Sequence, residues 1–301
     1  MKFTLKKSVF VLTILTTFLV SCSSGNEEPS IKQEEVHPHW KQPETLAYEI
    51  KNAKLWLSDS TIGSSERAIV FAVNRTDSLN FAKMDSVIVP VDLNGDMVYY
   101  LPFPLEVPFI KEIEKIIYFS YATQTFGAYE CGELVYTGPT NMGREKDQTP
   151  AGLFFTNWKA KKTISTFNDE WELRWNFNVV NKAGIGWHQY SLPGYPASHS
   201  CLRLSEKDAK YLYTWADQWV LTDKTTIQMK GTPVIVFGSY DFSAPKPWLQ
   251  LIHDPHALDI SGTDIKRITE PFLNEILAEQ KNRGVSTEAN DKTAQLESDK
   301  H

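Results

Sequence analysis

The stretch Pro196-Ala-Ser-His-Ser-Cys-Leu-Arg-Leu204 brings a thiol, an imidazole and a guanidinium close together, and His188 lies thirteen residues before Cys201. A cysteine attacks a carbonyl only as its thiolate, so it needs a neighbouring base to accept its proton. The reaction also needs hydrogen-bond donors that hold the developing oxyanion. This combination is typical of a cysteine acyl-transfer enzyme, with His188 and His199 as the candidate bases.

Two further blocks of sequence flank this stretch. The upstream block begins at Gly143 and contains Thr149-Pro-Ala-Gly-Leu-Phe154, and the downstream block is Gly231-Thr-Pro-Val-Ile-Val236. Together with His188 and the cysteine stretch, these blocks resemble the L,D-transpeptidase (YkuD-type) family of cell-wall enzymes. The resemblance extends over roughly residues 112 to 240, which is under half of the chain.

The resemblance implies a reaction that needs no metal or cofactor, because a base activates the nucleophile. His188 takes the proton of Cys201, and the thiolate attacks the carbonyl of the third residue of a peptidoglycan tetrapeptide stem, so that the terminal D-alanine leaves. An amine of a second stem then attacks the thioester and forms a 3-to-3 cross-link. If water attacks instead, the product is a tripeptide and the enzyme is an L,D-carboxypeptidase.

The resemblance also implies roles for the residues around Cys201. His199 orients the cysteine loop or helps to stabilise the oxyanion, and Ser198 holds the loop by hydrogen bonds. The backbone N–H groups of Ser200 and Cys201 form the oxyanion site. Ser200 stands where the family usually has glycine, so a conformation that only glycine adopts freely is strained at this position. Arg203 either pairs with a carboxylate of the stem or braces the fold.

Aromatic residues near the motif are candidates for lining the substrate groove and for excluding water from the thioester. Trp187 precedes His188, and Tyr190 and Tyr195 lie in the segment between His188 and Ser198. Prolines and a glycine in this segment predict a loop.

The first 22 residues predict a lipoprotein signal. Three lysines precede an apolar run over residues 9–20, and Leu19-Val-Ser-Cys22 has the pattern of a lipobox. The apolar run is shorter than the about 20 residues that span a bilayer. We therefore expect a lipid on Cys22, which anchors the chain in the bacterial envelope, in the outer membrane facing the periplasm. The alternative is an ordinary secretory signal with an incidental cysteine.

Charge excludes one class of partner. Removing residues 1–21 takes away three lysines and no acid, which leaves 28 basic and 37 acidic residues and a formal charge of −9. Such a chain is a poor partner for nucleic acid.

Two cysteines remain besides Cys22, in a compartment where disulfides form. A disulfide between Cys131 and Cys201 would abolish the implied chemistry, and the family pattern implies a free Cys201. Cys131 and Gly132 predict the tip of a hairpin between two short apolar segments.

The patterns predict an α+β, β-rich fold with a YkuD-like mixed β-sheet catalytic domain that has one prominent helix. We expect the following segments: signal peptide 1–21, flexible linker 22–43, N-terminal mixed module 44–110, catalytic domain 111–240, C-terminal helical extension 241–278 and disordered tail 279–301. Residues 74–90 are faintly similar to the second half of a LysM glycan-binding repeat, and the alternative is a plain packing module.

Periodicity predicts the main elements near the motif. Five residues that alternate with polar residues predict a strand with one buried face, namely Trp171, Leu173, Trp175, Phe177 and Val179. A helix is predicted to begin at Ser205, which forms a capping pair with Asp208. Its apolar face consists of Ala209, Leu212, Tyr213, Ala216, Trp219 and Val220. A C-terminal helix is marked by Ile268, Phe272, Ile276 and Leu277.

Two other functions fit parts of the sequence. A papain-like or NlpC-type peptidase also uses cysteine and histidine, but its cysteine precedes its histidine in the chain, whereas His188 precedes Cys201 here. A wall-binding lipoprotein that kept the fold and lost the chemistry is the second alternative, prompted by Ser200 and by the LysM-like run at residues 74–90. The His-Pro-His at 37–39 and His-Asp-Pro-His at 253–256 are weak metal sites, because each offers two ligands in a flexible or turn segment.

Overall fold

A computed structural model describes residues 40–165 and 171–284 of the chain. The predicted signal peptide, the lipid site Cys22 and the linker up to residue 39 lie outside these ranges. The part of the predicted disordered tail beyond residue 284 also lies outside them.

Within these ranges the chain forms thirteen strands and six helices. The strands are β1 Tyr48–Asn52, β2 Ser86–Pro90, β3 Lys115–Ser120, β4 Thr125–Glu130, β5 Glu133–Pro139, β6 Gly152–Phe155, β7 Lys159–Ile164, β8 Glu172–Val180, β9 Ile185–Gln189, β10 Leu202–Leu204, β11 Val220–Leu221, β12 Ile227–Met229 and β13 Pro233–Phe237. The helices are α1 Ala53–Ser58, α2 Ser64–Val73, α3 Ser78–Phe81, α4 Glu206–Trp215, α5 Gly262–Thr269 and α6, residues 273–284. Short 3-10 segments cover Met97–Tyr100, Pro108–Ile110, Asn181–Ala183, Pro247–Ile252 and Glu270–Phe272.

Two sheets surround the cysteine motif. The first has five strands in the order β5-β4-β3-β13-β6, and the second has four in the order β10-β9-β8-β7. β3 pairs parallel with β13 and β9 pairs parallel with β10, while the other pairs in these sheets are antiparallel. The α+β, β-rich class is thus confirmed. The hairpin of β4 and β5 turns at Cys131 and Gly132, as predicted.

The main core lies between these two sheets. Apolar side chains of β3, β4 and β13 meet those of β8, β9, β10 and α4, among them the fully buried Phe119, Phe126, Phe177, Trp187, Leu202 and Leu212. The opposite face of the five-stranded sheet packs against α5, α6 and residues 98–113. Because both of its faces are buried, the central part of this sheet is built from nearly continuous apolar runs, at residues 116–119 and 234–236.

The strand predicted around Phe177 is β8, but only its first half has a single buried face. Leu173, Phe177 and Val179 are buried as predicted, whereas Asn176 and Asn178 on the other side are buried too. Both asparagines lie where β8 pairs with β7 and with the residue just before it, and the N–H of Asn178 donates to the carbonyl of Trp158 at 3.0 Å. The backbone of Asn178 is paired there, whereas the side-chain amide nitrogen of Asn176 is buried without a hydrogen-bond partner among the described residues.

Helix α4 begins as predicted and ends early. Ser205 is its N-cap and accepts from the N–H of Asp208. The predicted face included Trp219 and Val220, which is wrong, because the helix ends at Trp215 and Val220 lies in β11. Asp217 ties the chain to the segment before β13, since its N–H donates to the Thr232 hydroxyl at 2.9 Å. This long-range contact draws the chain away from the helix axis.

The N-terminal residues form a strand, three helices and a second strand, in which β1 pairs antiparallel with β2. Asn74 connects the helices to the second strand. Its amide donates to the carbonyls of Val70 and Ile88, and its oxygen accepts from the N–H of Ile88. The unit belongs to one compact body with the rest of the described chain. The likeness of residues 74–90 to a LysM repeat stays a prediction.

The predicted C-terminal helix is two helices. A 3-10 turn that contains Pro271 separates α5 from α6, because proline lacks the N–H that a helix interior needs. The expected disorder from residue 279 is wrong for residues 279–284, which continue α6. Gln280 holds this end of the helix, since its amide donates to the Glu112 carbonyl at 2.9 Å. Within the described ranges, every helix is too short or too polar to cross a membrane.

Gly186 lies in β9 opposite Asn178 of β8. A Cβ atom at this position would lie 2.2 Å from the carbonyl oxygen of Phe177, a backbone atom that cannot give way. We expect Gly186→Ala to lower the free energy of unfolding by about 1–3 kcal/mol, as measured by urea denaturation. The matched control is Gly262→Ala, where a Cβ meets no atom within 4 Å. An unchanged free energy in Gly186→Ala would contradict the close approach of the two strands.

Candidate active site

The parallel pairing of β9 and β10 determines the geometry of the site. Arg203 lies opposite His188 in the register, and Leu202 lies opposite Trp187. Side chains alternate along a strand, so Trp187 and Leu202 enter the core, while His188, Arg203 and Cys201 lie on the other side. A pocket forms on that side, lined by Ser165, Trp171, Leu173, His188, Tyr190, Ser198, His199, Cys201 and Arg203. The structure therefore brings most of the predicted site residues together.

His188 is buried and has a defined tautomer. Its side chain is 5% exposed, and its Nδ1 lies 3.0 Å from the carbonyl oxygen of Gln189. A carbonyl only accepts, so the neutral ring carries its proton on Nδ1 and keeps the lone pair on Nε2. The pKa of His188 is lowered to about 4, because burial lowers it most and the charge of Arg203 adds to this effect, while the Gln189 carbonyl acts in the opposite direction. His188 is thus an unprotonated base at neutral pH.

Cys201 is a protonated thiol in the resting site. Burial raises its pKa, while the backbone N–H of Gly186 and the charge of Arg203 act in the opposite direction. The cysteine is free of any disulfide. Because the thiolate is disfavoured, reaction at neutral pH requires a base that removes the proton as the bond forms.

Hydrogen bonds hold the loop that precedes Cys201. The Ser198 hydroxyl donates to the Cys201 carbonyl at 2.6 Å, and the Thr149 hydroxyl donates to the Ser200 carbonyl at 2.9 Å. Ser200 has a φ of 74°, which is the left-handed region that favours glycine. The strain predicted for Ser200 is therefore present. Its hydroxyl donates to the Asp147 carbonyl at 3.1 Å, which offsets part of the cost.

Two backbone donors face no intramolecular acceptor. Among the described residues, the N–H groups of Ser200 and Cys201 donate to no other group. The left-handed conformation of Ser200 orients both groups differently from an extended strand. Adjacent free N–H groups beside a nucleophile are the arrangement that binds an oxyanion.

His199 lies at the rim of the pocket. Its Nε2 is 4.0 Å from the carboxylate of Asp147, and its ring centre is 5.3 Å from that of Trp171. Burial lowers the pKa of His199, as does the charge of Arg144, whereas Asp147 raises it. Its Nδ1 is buried and has no hydrogen-bond partner among the described residues.

Arg203 is a partly buried cation without a carboxylate partner among the described residues. Its guanidinium lies 4.5 Å from the ring centre of Tyr190. Arg144 differs, because it pairs with Asp147 at 2.5 Å. An uncompensated guanidinium beside the thiol and the imidazole attracts an anionic group.

The depressed pKa of His188 makes folding depend on pH. A histidine has a pKa of about 6.5 when unfolded, so the unfolded chain binds a proton below that pH while the folded chain does not until about pH 4. The stability contribution is therefore present above pH 6.5 and is lost as the pH falls to 4. We expect the loss in unfolding free energy between pH 7 and pH 4 to be about 3 kcal/mol smaller in His188→Asn than in the wild type, by urea denaturation. Equal losses would contradict the burial of the ring.

The described residues contain no group of three or more histidines, cysteines or acids that could hold a metal ion. The expected independence of metals and cofactors stays a prediction.

The region that contains this pocket matches a known family. Residues 114–236 match the family model of the YkuD L,D-transpeptidase catalytic domain. Residues 114–236 are a catalytic domain of the YkuD L,D-transpeptidase type. All nine residues that line the pocket lie within that domain.

Solved structures similar to the chain include L,D-transpeptidases. One from Mycobacterium smegmatis is 22% identical, with 42% of this chain and 59% of that chain covered and a TM-score of 0.33. One from Stackebrandtia nassauensis is 23% identical, with 42% and 56% covered and a TM-score of 0.34. One from Mycobacterium tuberculosis H37Rv is 21% identical, with 42% and 58% covered and a TM-score of 0.33. The chain thus spans less than two thirds of the length of these relatives. No curated protein matches it significantly.

Trp187 does not line the pocket of the L,D-transpeptidase domain. The prediction that it contacts substrate is wrong, because the side chain is fully buried between the sheets and packs 4.7 Å from the ring of Phe177. Strand alternation explains this, since the neighbour of an outward-facing His188 must face inward. Tyr190 lines the pocket as predicted, whereas Tyr195 is 52% exposed outside it.

Sequence reasoning missed several residues of the site. Arg144 and Asp147 flank His199, and Trp171 contributes a wall of the pocket. The carbonyl of Gln189 sets the tautomer of His188, and a backbone carbonyl leaves no trace in the residue types. Arg144 and Asp147 lie within the upstream block that carried the family resemblance, which is the one signal that pointed to them.

Proposed function

We propose that this chain is a peptidoglycan L,D-transpeptidase that uses Cys201 as its nucleophile and His188 as its base. The observation that carries the proposal is the bond from His188 Nδ1 to the Gln189 carbonyl, which leaves Nε2 able to accept a proton in the pocket that contains Cys201. The opposed pKa shifts support it, because a neutral thiol and a neutral imidazole are the reactants of base-assisted attack.

The first half-reaction acylates the enzyme. Nε2 of His188 takes the thiol proton as the sulfur forms a bond to the carbonyl carbon of the third stem residue. The N–H groups of Ser200 and Cys201 bind the oxyanion. The bond to the terminal D-alanine then breaks, and the alanine nitrogen leaves with the proton from His188. The product is a thioester on Cys201.

The second half-reaction transfers the acyl group. The amine of an acceptor stem attacks the carbonyl carbon of the thioester while His188 accepts a proton from the amine. The Cys201 thiolate then leaves and is reprotonated by His188. Free water competes with the amine. The ring of Tyr190 supports cross-linking over hydrolysis, because it covers one side of the pocket.

The envelope location is also part of the proposal. A lipid on Cys22 would tether the domain through residues 23–39 to the outer membrane, on the side that faces peptidoglycan. Labelling cells with a radioactive fatty acid should mark the wild-type chain and leave Cys22→Ala unmarked. Equal labelling, or none in either, would contradict the anchor.

The test of the reaction is incubation of the purified full chain in detergent with tetrapeptide muropeptides, followed by mass spectrometry. Cys201→Ala is the matched control. A dimer that is lighter than two monomers by one free alanine, and that requires Cys201, would establish transpeptidation. Tripeptide alone would reassign the domain as an L,D-carboxypeptidase. Unchanged tetrapeptide would favour a wall-binding lipoprotein without the chemistry.

A further inference from the structure

The loop of residues 190–196, between β9 and the cysteine motif, is held by two different parts of the chain. Its ends bond to the L,D-transpeptidase domain, through the carbonyl of Leu204 and the side chain of Asn141. Its middle bonds to residues 76–80, which lie outside that domain in the N-terminal part of the chain.

Asp77 makes most of the contacts to the middle of the loop. Its Oδ2 accepts from the N–H of Leu192 at 2.7 Å and from the Ser191 hydroxyl at 3.3 Å. Its own N–H donates to the Leu192 carbonyl at 3.0 Å, and the Thr76 hydroxyl donates to the same oxygen at 3.0 Å. Leu192 is 1% exposed, so water cannot replace these partners of its backbone.

The anchored loop begins at a residue of the pocket. Tyr190 lies beside both His188 and Arg203. The centre of its ring is 5.8 Å from the centre of the His188 ring and 4.5 Å from the guanidinium of Arg203. Leu192 is two residues further along. A shift of the backbone at Leu192 therefore moves the ring that covers Arg203.

We propose that Asp77 is a positioning residue for the acyl donor, so that the N-terminal part of the chain forms the outer support of the pocket. By holding Leu192, the carboxylate keeps Tyr190 against Arg203 and leaves the guanidinium oriented toward the substrate. A bond to a charged carboxylate suits this role, because it is stronger than a bond between neutral groups. The inference rests on the proposed function, since it concerns binding of the same acyl donor.

The test is Asp77→Ala, compared with Asp92→Ala. Asp92 accepts from the N–H groups of Glu44, Thr45 and Asn94 within the N-terminal part and does not touch the 190–196 loop. Both variants are made in the full-length chain with Cys131→Asn, so that the exposed Cys131 does not react with iodoacetamide. Asparagine is chosen because it tolerates the φ of 47° at this position. Stopped-flow and mass spectrometry give the binding constant and the rate constant for acylation by a carbapenem. The rate at which iodoacetamide alkylates the peptide that contains Cys201, followed by mass spectrometry, gives the intrinsic reactivity of this thiol.

We expect Asp77→Ala to raise the carbapenem concentration for half-maximal acylation by about ten- to a hundredfold, because misplaced binding groups cost that much. The rate constant at saturation and the iodoacetamide rate should stay within about threefold. Asp92→Ala should behave as the wild type. If Asp77→Ala does not fold, Thr76→Val removes one bond to the Leu192 carbonyl and should show the same change at smaller size.

Three outcomes would overturn the inference. Unchanged half-maximal acylation in Asp77→Ala would show that the contact does not position the donor. An equal change in Asp92→Ala, or a parallel loss of iodoacetamide reactivity, would show general damage to the fold. A wild type that is never acylated would remove the proposed function and the inference with it, whereas an acylated wild type with an indifferent Asp77→Ala would remove the inference alone.

Discussion

His188→Asn is expected to slow acylation of Cys201 by about 10²- to 10⁴-fold at pH 7, because the thiol then has no base to accept its proton. Asparagine is the sharpest replacement, since its amide nitrogen takes the place of Nδ1 and can still donate to the Gln189 carbonyl. The nitrogen that it lacks is Nε2. The measurement is the rate of covalent adduct formation with a carbapenem, read by mass spectrometry.

The pH dependence of the acylation rate distinguishes protonation of His188 from ionisation of the Cys201 thiol. In the wild type the rate should fall below about pH 4, where His188 becomes protonated, and this acid limb should be absent in His188→Asn. The variant should gain rate as the pH rises, because Cys201 then ionises without help and its pKa lies above the usual value. A rate within threefold of the wild type at pH 7 would exclude His188 as the base and leave His199 as the candidate.

Arg203→Met is expected to raise KM for tetrapeptide muropeptides by about ten- to a hundredfold, because a hydrogen-bonded charge pair contributes about 1.5–3 kcal/mol. Methionine keeps an unbranched apolar side chain against Tyr190 and removes the fork that pairs with a carboxylate. The steady-state release of D-alanine gives KM and kcat. The control is Arg174→Met, on the exposed part of β8, which should leave KM unchanged.

Substrate variants identify the carboxylate. In the wild type, replacing the carboxylate that pairs with Arg203 by an amide should raise KM for the stem. In Arg203→Met the same replacement should leave KM unchanged. Amides at the terminal D-alanine and at the third residue are compared separately. If Arg203→Met raised KM equally for every stem and also lowered the free energy of unfolding, Arg203 would be a brace for the fold and not a binding group.

Patterns in the sequence predicted the elements that local chemistry controls. The hairpin at Cys131 and Gly132 and the cap at Ser205 are each encoded within a few residues. The end of α4 and the continuation of α6 were not predicted, because contacts of Asp217 with Thr232 and of Gln280 with Glu112 decide them. Those partners lie 15 and 168 residues apart in the chain.

The candidate site divides in the same way. Cys201, His188, His199 and Arg203 were named from their side-chain chemistry and their order, together with the family that they resemble. Trp187 was misjudged because nearness in sequence to His188 does not show which face of a strand a residue occupies. The buried face of a strand can be predicted from the sequence only where polar and apolar residues alternate. They do not alternate in β9.

The sequence by itself determined which reactive groups the chain has and the repeating patterns that form its strands, because both follow from residue type and short spacing. Only the tertiary structure decided that Arg203 stands beside His188, that Ser200 takes a left-handed conformation, and that the Gln189 carbonyl sets the tautomer of the base. These features depend on strand register and on the paths of backbone segments distant in the chain. Pairing between distant segments is a property of the whole packed core, and no short window of sequence contains it.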